Sequence, residues 1–356
     1  MRTMVARHER GLSAAAFVIG FFWDNLTLSR IDRLYDNLVL AFYLVVAFVA
    51  MVLLNAHAAG RTSRLAQRSV GVAAFLLPFA FGGLFSGFLI FYSRSGPVLA
   101  SAPFFLVIGA FFVGNELFKR HYERFVFQMT VFFVALFSYS ALIVPVLLRR
   151  MGGVVFVLSG VAALILFFLA LRVLSLAAPK EVERSGVLLR SIVAIIFVLF
   201  TVLYFNNMIP PIPLSLKSIG VYHSLLREQS GAYRATFESA PWYALHRSTA
   251  SVFHIVEREP AFVFSSVYAP TDLETEVVHR WEYLDETKEE WLLVNMIRFP
   301  ISGGRQEGYR GYSVKENILP GRWRVSVETL RGQTIGRFTF TVVDAEAPSA
   351  LIAKTL

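Results

Sequence analysis

An α-helical membrane bundle of seven helices followed by an all-β, immunoglobulin-like sandwich is the fold class the chain predicts, and three observations carry it. Uncharged apolar stretches fill residues 11–208. The chain then changes character at Ile209-Pro210-Pro211-Ile212-Pro213-Leu214. Beyond that point, short runs alternate apolar with polar residues, which is the pattern of half-buried strands. Composition agrees, because 56% hydrophobic residues, 15% aromatic and 17% charged, with 34 Phe, is too apolar for an ordinary soluble chain.

A bilayer core about 30 Å thick needs about 20 apolar residues in a helix, since lipid offers backbone amides no hydrogen-bond partner. Six uncharged runs answer to this: residues 38–54, 70–92, 95–115, 125–148, 151–171 and 191–206. A seventh, residues 11–23, is short and becomes a spanning helix by continuing through Asp24 to Leu28. A signal peptide is the alternative for this segment, with Arg2, Arg7 and Arg10 as its charged start. The bulky Phe21-Phe22-Trp23-Asp24 end argues for a retained helix, because signal peptidase requires small residues whereas Trp suits the headgroup interface.

Basic residues are kept on the cytoplasmic side. The N-terminus with the loops around residues 61–68, 119–124 and 180–184 carries eleven Lys and Arg, and the opposite loops carry five, namely Arg30, Arg33, Arg94, Arg149 and Arg150. A cytoplasmic N-terminus and seven crossings therefore place the C-terminal domain outside, in the periplasm of a bacterial inner membrane. The net charge of +9 is spread over loops rather than clustered with aromatics on one aqueous surface, which argues against nucleic acid as a partner. The chain has no cysteine, so it offers no disulfide, thiolate metal site or Cys nucleophile.

Pro210, Pro211 and Pro213 make a stiff, extended exit from the bundle. Residues 216–228 then suit a short amphipathic helix at the bilayer surface, with Ile219, Tyr222, Leu225 and Leu226 on one face. Eight strand-like runs follow at 233–238, 251–257, 261–268, 277–284, 291–299, 309–314, 322–329 and 334–343, and a spacing near ten residues suggests a sandwich. In the last pair, Trp323, Val325 and Val327 face one side while Arg322, Arg324, Ser326 and Glu328 face the other. The chain thus divides into a seven-helix transmembrane domain (1–208), a Pro-rich exit with an interfacial helix (209–230), an external sandwich (231–345) and a flexible tail (346–356).

The Ile-Pro-Pro-Ile-Pro-Leu exit is followed by Gly220 with Tyr222-His223, then His279-x-Trp281, Tyr309-Arg310-x-Tyr312-Ser313, Gly321-x-Trp323-x-Val325-x-Val327 and Gly336-x-Phe338-x-Phe340-x-Val342. With Trp23-Asp24 and Arg30-Ile31-Asp32 in the bundle, this set resembles a bacterial multi-spanning membrane-protein family of unassigned function with a C-terminal β-domain. The resemblance implies architecture and bacterial origin, and it brings no catalytic residue with it.

Two groups of residues suggest chemistry. Asp24, Asp32 and Asp36, with Arg33 among them, lie in the first external loop, and Asp32 and Asp36 at a spacing of four share a helix face. Paired carboxylates of this kind can hold a divalent metal or a diphosphate's metal, but no second Asp-rich motif completes such a site, and helix capping or pairing with Arg33 is the simpler explanation. In the β-domain, His279 and Trp281 alternate onto one face and, with Tyr309, Arg310, Tyr312 and Trp291, make a candidate aromatic and basic patch for a sugar or anionic headgroup. Core packing competes for half of these. His223, His246, His254 and His279 have no Gly-x-Ser-x-Gly elbow to serve, and no metal or cofactor is expected.

The functional expectation is a non-enzymatic membrane protein whose external sandwich binds an envelope component, ligand or partner protein, the bundle serving as anchor or subunit. The alternative is a membrane enzyme or transporter for a lipid or lipid-linked substrate at the external headgroup level, built on Asp24, Asp32, Asp36 and Arg33.

Overall fold

The computed structural model describes all residues except 1–20, 29–32, 118–124, 230–231, 245–246, 248, 257–258, 271–272, 303–307 and 347–349. Among the described residues, 21–27 are helical and six further helices follow: α1 (Leu34–Ala58), α2 (Arg64–Ser95), α3 (Ala102–Leu117), α4 (Phe125–Leu148), α5 (Gly153–Ala177) and α6 (Pro179–Phe205). Five of them, α1, α2, α4, α5 and α6, are long and apolar enough to cross a membrane. The expected span over residues 95–115 is shorter than its uncharged run. Pro97 and the turn in which Ala100 N–H bonds its carbonyl occupy the start of that run, so α3 begins only at Ala102 and has 16 residues. Of the first expected helix, only residues 21–28 lie within the described part.

Helices pack here through rings and small residues, as expected where lipid tails are as apolar as the side chains they replace. Phe137 of α4 stacks on Phe200 of α6 at 4.9 Å, and Phe156 of α5 stacks on Tyr204 at 3.9 Å. A β-carbon at Gly83 would sit 2.7 Å from the Tyr43 ring, and one at Gly87 would sit 2.7 Å from Leu40. Both glycines of α2 are therefore needed for close approach to α1. Asn55 of α1 donates to Gln128 of α4 at 2.7 Å, a buried interhelical bond that keeps two amides from facing hydrocarbon unpaired.

Among the described residues, the β unit, from Leu214 onward, contains three open sheets. Its strands are β1 (Ser215–Tyr222), β2 (Ser224–Arg227), β3 (Tyr233–Glu238), β4 (Val252–Ile255), β5 (Ala261–Tyr268), β6 (Glu274–Asp285), β7 (Glu290–Ser302), β8 (Tyr309–Lys315), β9 (Gly321–Thr329), β10 (Thr334–Asp344) and β11 (Leu351–Thr355). One sheet has the order β1-β5-β8, a second β4-β10-β9-β6-β7, and a third β11-β3-β2. Pairing is antiparallel except between β4 and β10. The first two sheets share one core, in which Val221 and Val263 from one meet Trp281, Trp323, Val325 and Phe340 from the other. The third sheet closes a smaller core around Tyr222, Leu225, Tyr233 and Phe237.

Two expectations are corrected. The interfacial helix over residues 216–228 is instead the strand pair β1 and β2, because Ile219 and Val221 enter the larger core while Tyr222 and Leu225 enter the smaller one. One helix face cannot serve two cores on opposite sides. The flexible tail over 346–356 contains β11, which pairs with β3 from Leu351↔Glu238 to Thr355↔Arg234 and closes with mutual backbone bonds between Leu356 and Tyr233.

Gly321 opens β9 at φ 126°, a region side chains rarely adopt, and a β-carbon there would lie 2.7 Å from the Tyr283 hydroxyl. Gly321→Ala is expected to lower the unfolding free energy of the β unit by at least about 1 kcal/mol. Urea titration of the detergent-solubilised protein, followed by tryptophan fluorescence, checks this.

Candidate functional site: the outer face of the five-stranded sheet

Side chains alternate faces along a strand, so β6 sends His279 and Trp281 inward and Arg280 and Glu282 outward. The inward pair is fully buried. His279 Nε2 bonds Ser265 Oγ on β5 at 2.7 Å and its Nδ1 bonds Ser313 Oγ on β8 at 2.8 Å, while Trp281 Nε1 donates to the same Ser313 Oγ at 2.9 Å. Burial pushes His279 down to about 3, so the ring is neutral and its two nitrogens play opposite donor and acceptor roles toward the serines.

The outward pair meets β9 and β10 in register. Glu282 stands opposite Arg324, Arg280 opposite Ser326, and Ser326 opposite Arg337. Arg324 grips Glu282 in a two-point fork at 2.5 and 3.0 Å, Arg280 reaches the same carboxylate at 3.3 Å, and Arg337 Nε donates to Ser326 Oγ at 2.9 Å. The Arg324 guanidinium also lies 4.3 Å from the centre of the Trp291 ring on β7, a cation–π contact. Burial would raise the Glu282 carboxyl, but the Arg324 hydrogen bonds and the charges of Arg324, Arg280 and Arg337 outweigh it and hold the group below its usual range. Glu328 on the same face goes the other way, raised mainly by burial. Burial lowers Arg337, with the Arg324 charge adding to the shift. The face thus carries Arg280, Arg298, Arg322, Arg324 and Arg337 with the Glu282 and Glu328 carboxylates and the Trp291 indole, and Arg337 and Arg298 are exposed. Beside it, Leu284, Glu286, Glu289, Trp291 and Arg322 line a shallow cleft at the tip of the β6–β7 hairpin.

The patch expected from His279, Trp281, Tyr309, Arg310 and Tyr312 is therefore not one surface. His279 and Trp281 are interior, and the other three sit on β8 in a different sheet. Arg310 donates to the Leu356 carbonyl at 3.0 Å, and Tyr312 packs its half-exposed ring 5.7 Å from Tyr233. Of the expected set, Trp291 alone joins the outer face of the five-stranded sheet. In the bundle, Asp24 accepts from Ser86 Oγ at 2.6 Å, and Asp36 at the start of α1 is 1% exposed. Arg94 donates to the Leu28 and Asn25 carbonyls at 2.6 and 2.8 Å, and Arg33 is exposed. Asp32 lies outside the described residues.

Sequence reasoning missed one cluster altogether. The Glu238 carboxylate accepts from His223 at 3.1 Å and from the His254 ring and backbone at 2.8 Å each, while the other His223 nitrogen faces Glu259 at 3.3 Å. These four residues lie far apart in the sequence at spacings that carry no motif. Among the described residues, no group of His, Asp and Glu has the arrangement of a metal site.

Comparison with known proteins bears on the same region. Residues 274–342 match the family model described as Protein of unknown function (DUF2914). That stretch runs from the start of β6 nearly to the end of β10, so it contains the whole charged face and the His279–Trp281 pair beneath it. None of the curated proteins matches the chain. A solved structure of Pseudomonas fluorescens alkylpurine DNA glycosylase AlkC, bound to DNA containing an abasic site analog, is similar at a TM-score of 0.21 and 11% identity over 88% of this chain and 99% of that one, too low a likeness to inform fold or function.

His279 gives this region a pH dependence. The unfolded chain takes up a proton near the ordinary value of 6.5, whereas the folded ring does so only near 3. Between the two the unfolded state binds the extra proton, so stability falls as pH drops below 6.5, by up to about 1.4 kcal/mol per unit. His279→Gln is expected to destabilise the β unit at pH 7 by about 1–3 kcal/mol. It should also shrink the loss between pH 7 and pH 5 by up to about 2 kcal/mol, measured by urea titration at both values.

Proposed function

We propose that this chain is an integral membrane protein of the bacterial inner membrane, whose immunoglobulin-like domain lies in the periplasm and binds an envelope component, ligand or partner protein. The helical bundle acts as its anchor or as a subunit of a larger assembly. The observation that carries this reading is the Arg324–Trp291 stack beside the exposed Arg337. Guanidinium groups fork onto carboxylate or phosphate, and an indole face takes a sugar ring or an apolar side chain. An anionic group attached to a ring or chain of that kind fits the surface. Five membrane-length helices support the anchoring role, and the excess of basic residues in alternate loops supports the orientation.

Native mass spectrometry of the full-length protein in mild detergent tests the binding role. The wild type is expected to retain a molecule or protein that Trp291→Ala/Arg337→Ala loses by at least about tenfold, since removing two such interactions costs more than about 1.4 kcal/mol. Equal retention by both proteins argues against this face.

A second reading, a membrane enzyme or transporter acting on a lipid or lipid-linked substrate at headgroup level, is favoured by the Asp24–Ser86 bond and the burial of Asp36, because acidic groups held inside a bundle are costly. Asp24→Asn combined with Asp36→Asn should then abolish growth complementation of a deletion strain while protein abundance stays normal. Full complementation would remove this reading.

A further inference from the structure

β7 is the last strand of the five-stranded sheet, with β6 on one side and no strand on the other among the described residues. It is also the longest strand, at 13 residues. Proteins blunt such edges with charge, proline or brevity, because a free row of amides and carbonyls pairs with any suitable strand. Residues 291–297 contain no charge and no proline, and Leu292, Leu293, Val294 and Met296 are 41% to 51% exposed. Neither charge nor proline blunts this edge along its centre, where a single bulge interrupts it.

We propose that β7 is a homodimer interface, with two copies pairing antiparallel through residues 291–298 so that their five-stranded sheets become one continuous sheet. The register follows from the bulge. Trp281 pairs with Asn295 and Glu282 with Leu293, which leaves Val294 as the extra residue of β7. Leu293 and Met296 consequently lie on the outer face, opposite Glu282 and Arg280, whereas Leu292 and Ile297 lie on the inner face, opposite Tyr283 and His279.

A two-fold axis between residues 294 and 295 is the arrangement that keeps these faces matched. It sets Leu293 against Met296 of the second copy, Leu292 against Ile297, and Trp291 against Arg298, while the acidic Glu289–Glu290 end comes alongside that same Arg298. A strand that complements itself in apolar face and in charge is suited to a second copy of the same chain rather than to an unrelated partner. Pro300 has no N–H to give and ends the ladder on that side. Asn295 Oδ1 already accepts the Met296 N–H at 2.8 Å, so the ladder forms on either side of the bulge.

The absence of native cysteine makes a cross-linking test direct. Leu293→Cys/Met296→Cys in the full chain, oxidised in native membranes, is expected to give a disulfide-linked dimer. Within one extended copy these positions are about 10 Å apart, too far to bridge. The mismatched pair Leu292→Cys/Met296→Cys should give at least tenfold less. A matched pair that stays monomeric, that links no better than the mismatched pair, or that joins a different protein overturns the proposal. Native mass spectrometry of the cysteine-free protein gives an independent readout. The wild type is expected at twice 40.0 kDa and Leu293→Lys/Met296→Lys at 40.0 kDa, while a monomeric wild type or an unchanged Lys variant counts against the interface.

Discussion

His279 reaches Ser265 on one strand and Ser313 on another, and Trp281 shares Ser313, so one neutral imidazole buried between two sheets decides how β6 lies. Strand side chains alternate with period two, and a slip of one residue would turn Arg280 and Glu282 into the core and send His279 and Trp281 out. Glu282 is already 3% exposed, and moving it into an apolar core away from its Arg324 and Arg280 partners would cost several kcal/mol, so the register is strongly specified. The outward charges inherit their positions from the inward polar anchor. Glu282 meets Arg324 in a fork because Trp281 and Val325 pack back to back with them.

The outer face does more than neutralise itself. Glu282 is gripped by Arg324 and approached by Arg280, whereas the exposed Arg337 spends one donor on Ser326 and keeps the rest of its guanidinium available to solvent. The arginines of this face outnumber its carboxylates and leave it positive, and the raised Glu328 carboxyl makes it more so as pH falls. In the binding role proposed above, Trp291 would offer an anionic ligand an aromatic floor and the arginines a cationic rim. The family match over residues 274–342 covers the strands that build this arrangement.

Much of the architecture was legible because hydrocarbon and water impose different patterns. Long uncharged runs announced α1, α2, α4, α5 and α6, and the alternation of Trp323, Val325 and Val327 with Arg322, Arg324 and Ser326 announced both faces of β9. What could not be read was pairing. Residues 216–228 place apolar groups at spacings that satisfy a helix, and only the presence of two separate cores makes them strands. His279 and Trp281 looked like half of a binding surface because composition does not tell a core aromatic from a ligand platform. The Glu238 cluster joins the end of β3 with His254 of β4 and with His223 and Glu259 outside the strands, and nothing local in the sequence marks them. The tail residues 351–355 are all exposed, so their place in a sheet rests on backbone bonds to β3, which leave little signature in side-chain pattern.

In the bundle the same logic runs on size rather than polarity. Gly83 and Gly87 let α2 approach Tyr43 and Leu40, and the buried Asn55–Gln128 bond adds direction to an interface that apolar packing alone leaves unspecified. In the β unit, direction comes from His279, and its protonation state is the sharpest test of that role. Nitrogen NMR of histidine-labelled full-length protein, followed from pH 7.5 to pH 4.5, reads it directly. One imidazole is expected to remain a neutral, hydrogen-bonded tautomer throughout and to disappear in His279→Gln. A His279 signal that titrates near the ordinary value of 6.5 would mean that the ring is open to water, and the register argument would fail with it.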